Sequence, residues 1–389
     1  MNTSSRVVSL PIVALVCVLL SFTLPLGETI AGQPLGWTSL APPFVFASCG
    51  LFAAALAVLR MTRTPVQLAC FTVLSALAAV APLWLLGLDL GATTLDARSW
   101  RIGFWCYAGG LLVLAVIGVR QVAALDVQHG TAAALRGARF GTPLLFGAWV
   151  LVFWQLLTQA LEVPRVLLPA PSVVWHALVA GFGVLASDFV QTVLHSVLIG
   201  LVGGCALGFV TGVLIDRSPF LQRGLLPLAA LASTVPLIGI APIMVMWFGF
   251  DWHSKAAVVV VMTFFPMLVN TLAGLKESGA MERDLMRSYG AGYWRTLLAL
   301  RIPVALPFVF NALKINSTLA MIGAIVAEFF GSPTAGLGFR ISTEAARLNM
   351  GLVWAAILVA ALAGSLLYGL LGWIERRATF WHPSIRSGA

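Results

Sequence analysis

Charge is what this sequence has least of. Only 10% of its 389 residues are Asp, Glu, Lys or Arg, against roughly 25% in an ordinary soluble domain. Cysteine is also sparse, and none of Cys17, Cys49, Cys70, Cys106 and Cys205 sits in a C-x-x-C pair. Neither a disulfide framework nor a cysteine metal site is indicated; the five read as small core hydrophobes. His129, His176, His195, His253 and His382 are dispersed without metal-ligand spacing, so no metal is expected. No run of five or more basic residues occurs, and the net charge of +9 therefore does not point to nucleic acid. Sustained alternation of apolar and polar residues is missing, which disfavours a membrane β-barrel. So is a G-x-x-x-x-G-K-S/T phosphate loop: none of the lysines, Lys255, Lys276 and Lys314, follows such a pattern. No cofactor is expected on this chain, and a nucleotide site would have to come from another.

What the chain has instead is apolar length. Hydrophobic residues make up 60% of it, and the mean hydropathy is +0.98. About 20 apolar residues carry a helix across a ~30 Å hydrocarbon core, and inside the bilayer the helix must satisfy its own backbone. Ten segments fit, at about 7–26, 42–59, 66–88, 103–119, 142–160, 191–215, 224–248, 256–275, 304–327 and 351–373. The expected fold is an all-α polytopic membrane protein with about ten transmembrane helices. Arg6 ahead of the apolar stretch 8–20 also resembles the start of a signal peptide. No clear small-x-small cleavage site precedes Gly27, however, so an uncleaved anchor is expected.

Basic residues orient these spans. With the amino terminus inside, the segments 1–6, 60–65, 120–141, 216–223, 276–303 and 374–389 hold 16 of the 23 Lys and Arg residues, and the outside loops hold six. The positive-inside rule then places both termini in the cytoplasm of a bacterial inner membrane. The polar stretch 120–141 marks an internal boundary. Residues 1–130 read as an accessory module of about four spans, and 140–389 as a second region whose core lies at about 187–373.

The inside loop 276–303 is unusual on physical grounds. It combines helix-forming composition with mixed charge, from Glu277, Glu282, Arg283, Asp284, Arg287, Arg295 and Arg301. Gly290 interrupts it, and Pro303 with Pro307 closes it. Glycine costs a helix about 1 kcal/mol against alanine, so a turn between two short surface helices is expected at Gly290, with Pro303 starting the next span. Leu285, Met286, Tyr289, Tyr293 and Trp294 place apolar and aromatic groups among the charges. A short amphipathic helix of this kind suits docking into a groove on a partner.

The loop resembles the E-A-A-x-x-x-G-x9-I-x-L-P signature of type I ABC importer permeases. Asp284 stands at the acidic position, Gly290 at the glycine, Leu300 at the isoleucine and Ile302–Pro303 at the closing pair, while Leu285 and Met286 replace the two alanines. VLLPAPSVVWH at 166–176, AIVAEFFGSPTAGLGFRI at 324–341 and ERRATFWHP at 375–383 resemble further landmarks of the nitrate, sulfonate, taurine and pyrimidine-precursor group. Together the landmarks cover 142–389 and leave 1–130 as an addition. The resemblance implies a permease core of six helices, usually a homodimer, with an ABC ATPase dimer below and a periplasmic or extracellular substrate-binding protein above. ATP would be hydrolysed by the partner ATPase. Asp284, Arg287, Gly290, Arg295 and Pro303 would belong to the coupling loop. The substrate it implies is a small anion (sulfonate, taurine, nitrate) or a thiamine-pyrimidine precursor.

Intramembrane polar residues are candidates for the translocation path: Thr234, Asn311, Lys314, Asn316 and Glu328. Lys314 either faces that path or snorkels to the interface. Glu328 either orders a gate or loop or is exposed at the outer boundary. A secondary active transporter without an ATPase partner is the alternative reading, but it predicts broken helices in paired repeats and leaves the charged loop unexplained. A membrane-embedded enzyme would need converging His, Asp or Glu groups, and only isolated ones occur.

Overall fold

The computed structural model describes residues 3–28, 34–37, 41–58, 65–87, 100–128, 132–218, 220–221, 224, 237–331 and 335–381. Two compact units divide the chain, Met1–Ser172 and Val173–Ala389.

The first unit contains α1 (Thr3–Thr23), α2 (Ala41–Val58), α3 (Pro65–Gly87), α4 (Ile102–Gln128) and α5 (Ala132–Ala160). A two-residue antiparallel pairing, β1 (Gly27–Glu28) with β2 (Pro34–Leu35), follows α1. Apolar residues occupy every face of α2, α3 and the first part of α4, as expected where lipid replaces water. The core gathers Trp37, Phe71, Phe104, Tyr107 and Leu111. Its polar tip is satisfied, because the Tyr107 hydroxyl donates to the Ala78 carbonyl at 2.9 Å. By packing, α5 belongs with this unit.

The second unit takes in most of α6 (Pro171–Ala180) and then a continuous helical run. That run joins α7 (Phe182–Phe189), a π-helical stretch at Val190–Leu198 and α8 (Ile199–Arg217). Next come α9 (Leu237–Phe248), α10 (Trp252–Lys276), α11 (Ala280–Ser288) and α12 (Tyr293–Thr296). A π-helical stretch at Leu297–Arg301 leads into α13 (Ile302–Gly331), followed by α14 (Leu337–Ala346) and α15 (Met350–Ala378).

Central in this unit is α10, which packs on α8 and on α13. Gly200, Gly204, Gly208 and Gly212 recur at every fourth position of α8 and bring the two backbones together. A Cβ at Gly204 would lie 2.7 Å from the Val260 carbonyl, and one at Gly208 2.5 Å from that of Phe264. In lipid, where hydrophobic burial does not drive helices together, close backbone approach through small residues supplies the contact.

Among the described residues, six helices are long and apolar enough to cross a membrane: Ile102–Ala123, Gly141–Ala160, Phe182–Arg217, Trp252–Lys276, Tyr293–Gly331 and Met350–Ala378. Shorter apolar helices lie at Leu10–Thr23, Phe44–Ala55, Cys70–Leu83, Pro171–Ala180 and Gly239–Phe248. Each of the ten expected segments contains helix among its described residues. Pro303 stands in the first turn of α13, as expected, but helix is continuous from Tyr293 to Gly331, so the apolar helix begins ahead of the proline and not at it. The π register at Leu297–Arg301 lies just ahead of the proline, where its missing N–H disturbs the α ladder.

Candidate functional site

Helix α11 stands clear of the bundle and has no buried residue. Met281, Leu285 and Tyr289, spaced by four, share one face at 85%, 57% and 79% exposure. Asp284 and Arg287 form an ion pair at 3.4 Å with both side chains exposed, which contributes little to stability. The helix ends at Gly290, whose φ of +69° is left-handed. The N–H of Gly290 donates to the Arg287 carbonyl at 2.8 Å and that of Ala291 to Met286 at 3.0 Å, closing the turn. No atom lies within 4 Å of a Cβ built there; conformation, not space, calls for glycine. Arg295 is exposed on α12, and Pro303 lies half-buried in the first turn of α13.

The loop is anchored through Asp216 and Arg217, which the sequence did not single out. Arg301 donates to the two Asp216 carboxylate oxygens at 2.6 and 2.9 Å, and its Nε and Nη2 reach the Leu275 carbonyl at 3.1 and 2.9 Å. The Tyr293 hydroxyl donates to Asp216 Oδ2 at 3.3 Å. Arg217 lies over the Tyr293 and Trp294 rings, 5.6 and 5.4 Å from their centroids. One carboxylate at the end of α8 thus fixes the start of the long Tyr293–Gly331 helix, and the same guanidinium holds the end of α10. The available signal was Asp216 itself, an acid closing a long apolar helix.

At the opposite end of the same helices lies a buried polar latch. Glu328 is 1% exposed. It accepts from the Thr192 hydroxyl at 2.7 Å and from the Gly338 N–H at 2.7 Å. Thr192 in turn accepts the Leu337 N–H at 2.8 Å, and Asp188 accepts the Gly336 N–H at 2.9 Å and Arg340 Nε at 2.8 Å. Lys255 donates to the carbonyls of Phe250, Asp251 and Gly331. The Gly-Leu-Gly turn at 336–338 is thereby tied to the run that contains α7 and α8. Gly336 has φ +134°, and a Cβ there would meet the Glu328 carboxyl at 2.6 Å, so only glycine fits. Asp188 and Thr192 were not singled out by the sequence.

The remaining path candidates are not brought together. Thr234 lies outside the described residues. Lys314 pairs with Glu375 of α15 at 2.8 Å. Asn316 is buried among α8, α10 and α13, where its amide donates to the Thr263 carbonyl at 2.8 Å and to Cys205 Sγ at 3.2 Å. Asn311 is exposed. Thr318, one turn beyond Lys314, opens a cavity of about 560 Å³ between α13 and α15, with Ser365 and Tyr368 opposite.

A core of membrane-length helices that carries an anchored amphipathic loop at one end fits the class of transport permeases. Known proteins agree. Residues 204–380 match the family described as "Binding-protein-dependent transport system inner membrane component". A "Probable ABC transporter permease protein" of Haemophilus influenzae is 30% identical over 235 residues, covering 60% of this chain and 95% of the relative. "Formylaminopyrimidine transport permease protein ThiX" of Halalkalibacterium halodurans is 31% identical over 239 residues, covering 61% and 95%. "Putative aliphatic sulfonates transport permease protein SsuC" of Bacillus subtilis is 26% identical over 244 residues, covering 62% and 87%. The chain belongs to this family of ABC importer permeases and is a multi-pass inner-membrane protein.

Proposed function

We propose that the chain forms the translocation path of an ABC importer and takes its power stroke through the 276–303 loop. The observation that carries this reading is the apolar face Met281–Leu285–Tyr289, unpacked within its own chain yet held at the loop's base by Arg301. A cytoplasmic ABC ATPase dimer is the partner that fits a helix in a groove. ATP is hydrolysed there, since this chain has no G-x-x-x-x-G-K-S/T sequence. A second copy of the permease and an external substrate-binding protein complete the assembly, with both termini of this chain cytoplasmic. Closure of the ATPase would move α11, and through Asp216 and Leu275 the ends of α8 and α10, between two packed arrangements. Detergent extraction of the tagged chain from its native membrane should bring down an ATPase. Replacing residues 282–296 with a Gly-Ser linker should lose it while membrane insertion persists; retention of the ATPase would refute the coupling role.

On substrate, charge favours one of the two classes. Among the described residues of the second unit's helical core, Arg301, Lys314 and Arg340 are each ion-paired and Lys255 is surrounded by carbonyls. None is left to hold an oxyanion. The cavity beside Thr318, Ser365 and Tyr368 offers hydroxyls and an aromatic ring, which suit a neutral planar heterocycle such as a pyrimidine precursor. Uptake of labelled formylaminopyrimidine and of an aliphatic sulfonate by cells with and without the gene separates the two classes. A gene-dependent sulfonate signal alone would overturn the choice.

A further inference from the structure

In the first unit an apolar groove of about 800 Å³ runs between α4 and α5, and the transport reading makes no use of it. On α4 it is lined by Leu112, Val116 and Arg120, and on α5 by Val150, Phe153 and Leu157, among others. The lining positions recur at three- and four-residue steps on both helices, so the groove follows their axes. Its α5 wall extends from residue 146 to residue 158, about 18 Å at 1.5 Å per residue and over half of a ~30 Å hydrocarbon core. The hydroxyl in its wall is already engaged, because Thr158 donates to the Trp154 and Gln155 carbonyls at 2.8 and 3.1 Å. Its one charge is Arg120, near the end of the span Ile102–Ala123. Among the described residues Arg120 is exposed and has no hydrogen-bond or ion-pair partner. In the second unit, by contrast, Arg301, Lys314 and Arg340 each face a carboxylate.

We propose that this groove holds one anionic phospholipid of the inner leaflet, its phosphate on Arg120 and an acyl chain along α4 and α5. A guanidinium offers a forked pair of donors that matches phosphate. A basic residue at headgroup depth on the cytoplasmic side is where an anionic lipid meets a membrane protein. A helix from a second copy would cover the apolar wall but leave the arginine without a counter-charge, so charge complementarity selects the lipid.

The test is native mass spectrometry of the full chain released from nanodiscs containing phosphatidylglycerol or phosphatidylcholine. Wild type should retain one phosphatidylglycerol with at least tenfold preference over phosphatidylcholine. Arg120→Gln should remove that preference while still retaining lipid. Val150→Trp, a change at a half-exposed wall position, should fill the groove and abolish retention of both lipids. Equal retention of the two lipids by wild type, or unchanged selectivity in Arg120→Gln, would overturn the proposal. So would a dimer of the chain that Val150→Trp disrupts while lipid content stays constant.

Discussion

Arg301 and Asp216, 85 positions apart in sequence, meet in a two-pronged ion pair of 2.6 and 2.9 Å at the base of the 276–303 loop. The two side chains are only 12% and 4% exposed. Removing one partner of such a pair strands the other charge, at a cost of about 3–5 kcal/mol. Arg301→Gln is expected to lower thermal stability and to uncouple ATP hydrolysis from uptake. Arg301→Lys should rescue little, because an ammonium cannot reproduce the fork that spans both carboxylate oxygens and the Leu275 carbonyl. Melting temperature and the ATPase-to-uptake ratio in reconstituted vesicles read both effects. Wild-type coupling in the lysine variant would show that the bidentate geometry is dispensable.

Gly290 presents a purely conformational demand. Its φ is +69° and no atom crowds the missing side chain. Alanine there should cost about 1 kcal/mol of local order through left-handed strain alone, and asparagine less. Proline, confined to negative φ, cannot make the turn. Transport should therefore fall in the order glycine, asparagine, alanine, proline, with insertion into the membrane unchanged. Uptake rates normalised to membrane-inserted protein give the ranking, and an active proline variant would contradict it.

Much of this architecture is readable in one dimension. The apolar spans follow from local composition, and Gly290, with Gly292 close behind it, declares a break between two charged helical segments. The clamp and the latch do not, because their partners are far apart. Arg301 finds Asp216 only after α8, α10 and α13 have packed, and Glu328 finds Thr192 across 136 positions. Lys314 illustrates the ambiguity best. Read along the helix it either snorkels or lines a path, yet its neighbour is Glu375, a residue the sequence offers only as part of a terminal landmark. Pro303 misleads for a different reason: proline marks helix starts on average, whereas here the ladder changes register and continues.

The glycine face of α8 makes a prediction with an internal control. A Cβ at Gly204 would lie 2.0 Å from Thr263 Oγ1 and 2.7 Å from the Val260 carbonyl, whereas one at neighbouring Gly203 meets only Val260 Cγ2 at 3.4 Å. Gly204→Ala must push α8 away from α10, and overpacking of this kind costs typically 1–3 kcal/mol. Gly203→Ala should be neutral or slightly stabilising, since alanine is the better helix former. Detergent-solubilised melting curves should separate the two variants by several degrees. Equal melting temperatures would mean that the close helix contact does not hold the second unit together.

At the opposite end, Glu328 reads the Gly-Leu-Gly turn through backbone rather than side chain. Its carboxylate accepts the Gly338 N–H while Thr192 bridges to the Leu337 N–H. Glu328→Ala would leave that buried N–H and the Thr192 hydroxyl without their acceptor, a loss of about 1–3 kcal/mol for each unsatisfied group. Glu328→Gln keeps an acceptor oxygen but also brings an amide that must find its own partner, so its effect should be intermediate. The expected outcome is graded loosening of residues 335–347, largest for alanine, with the far loop around Gly290 unaffected. Cysteines at Ser342 and, as a control, at Ser288, introduced after the five native cysteines are replaced, would report it through their rates of modification by a maleimide in detergent solution, where both ends are accessible. An accelerated rate at Ser288 but not at Ser342 would place the effect of Glu328 at the wrong end of the molecule and reject the latch.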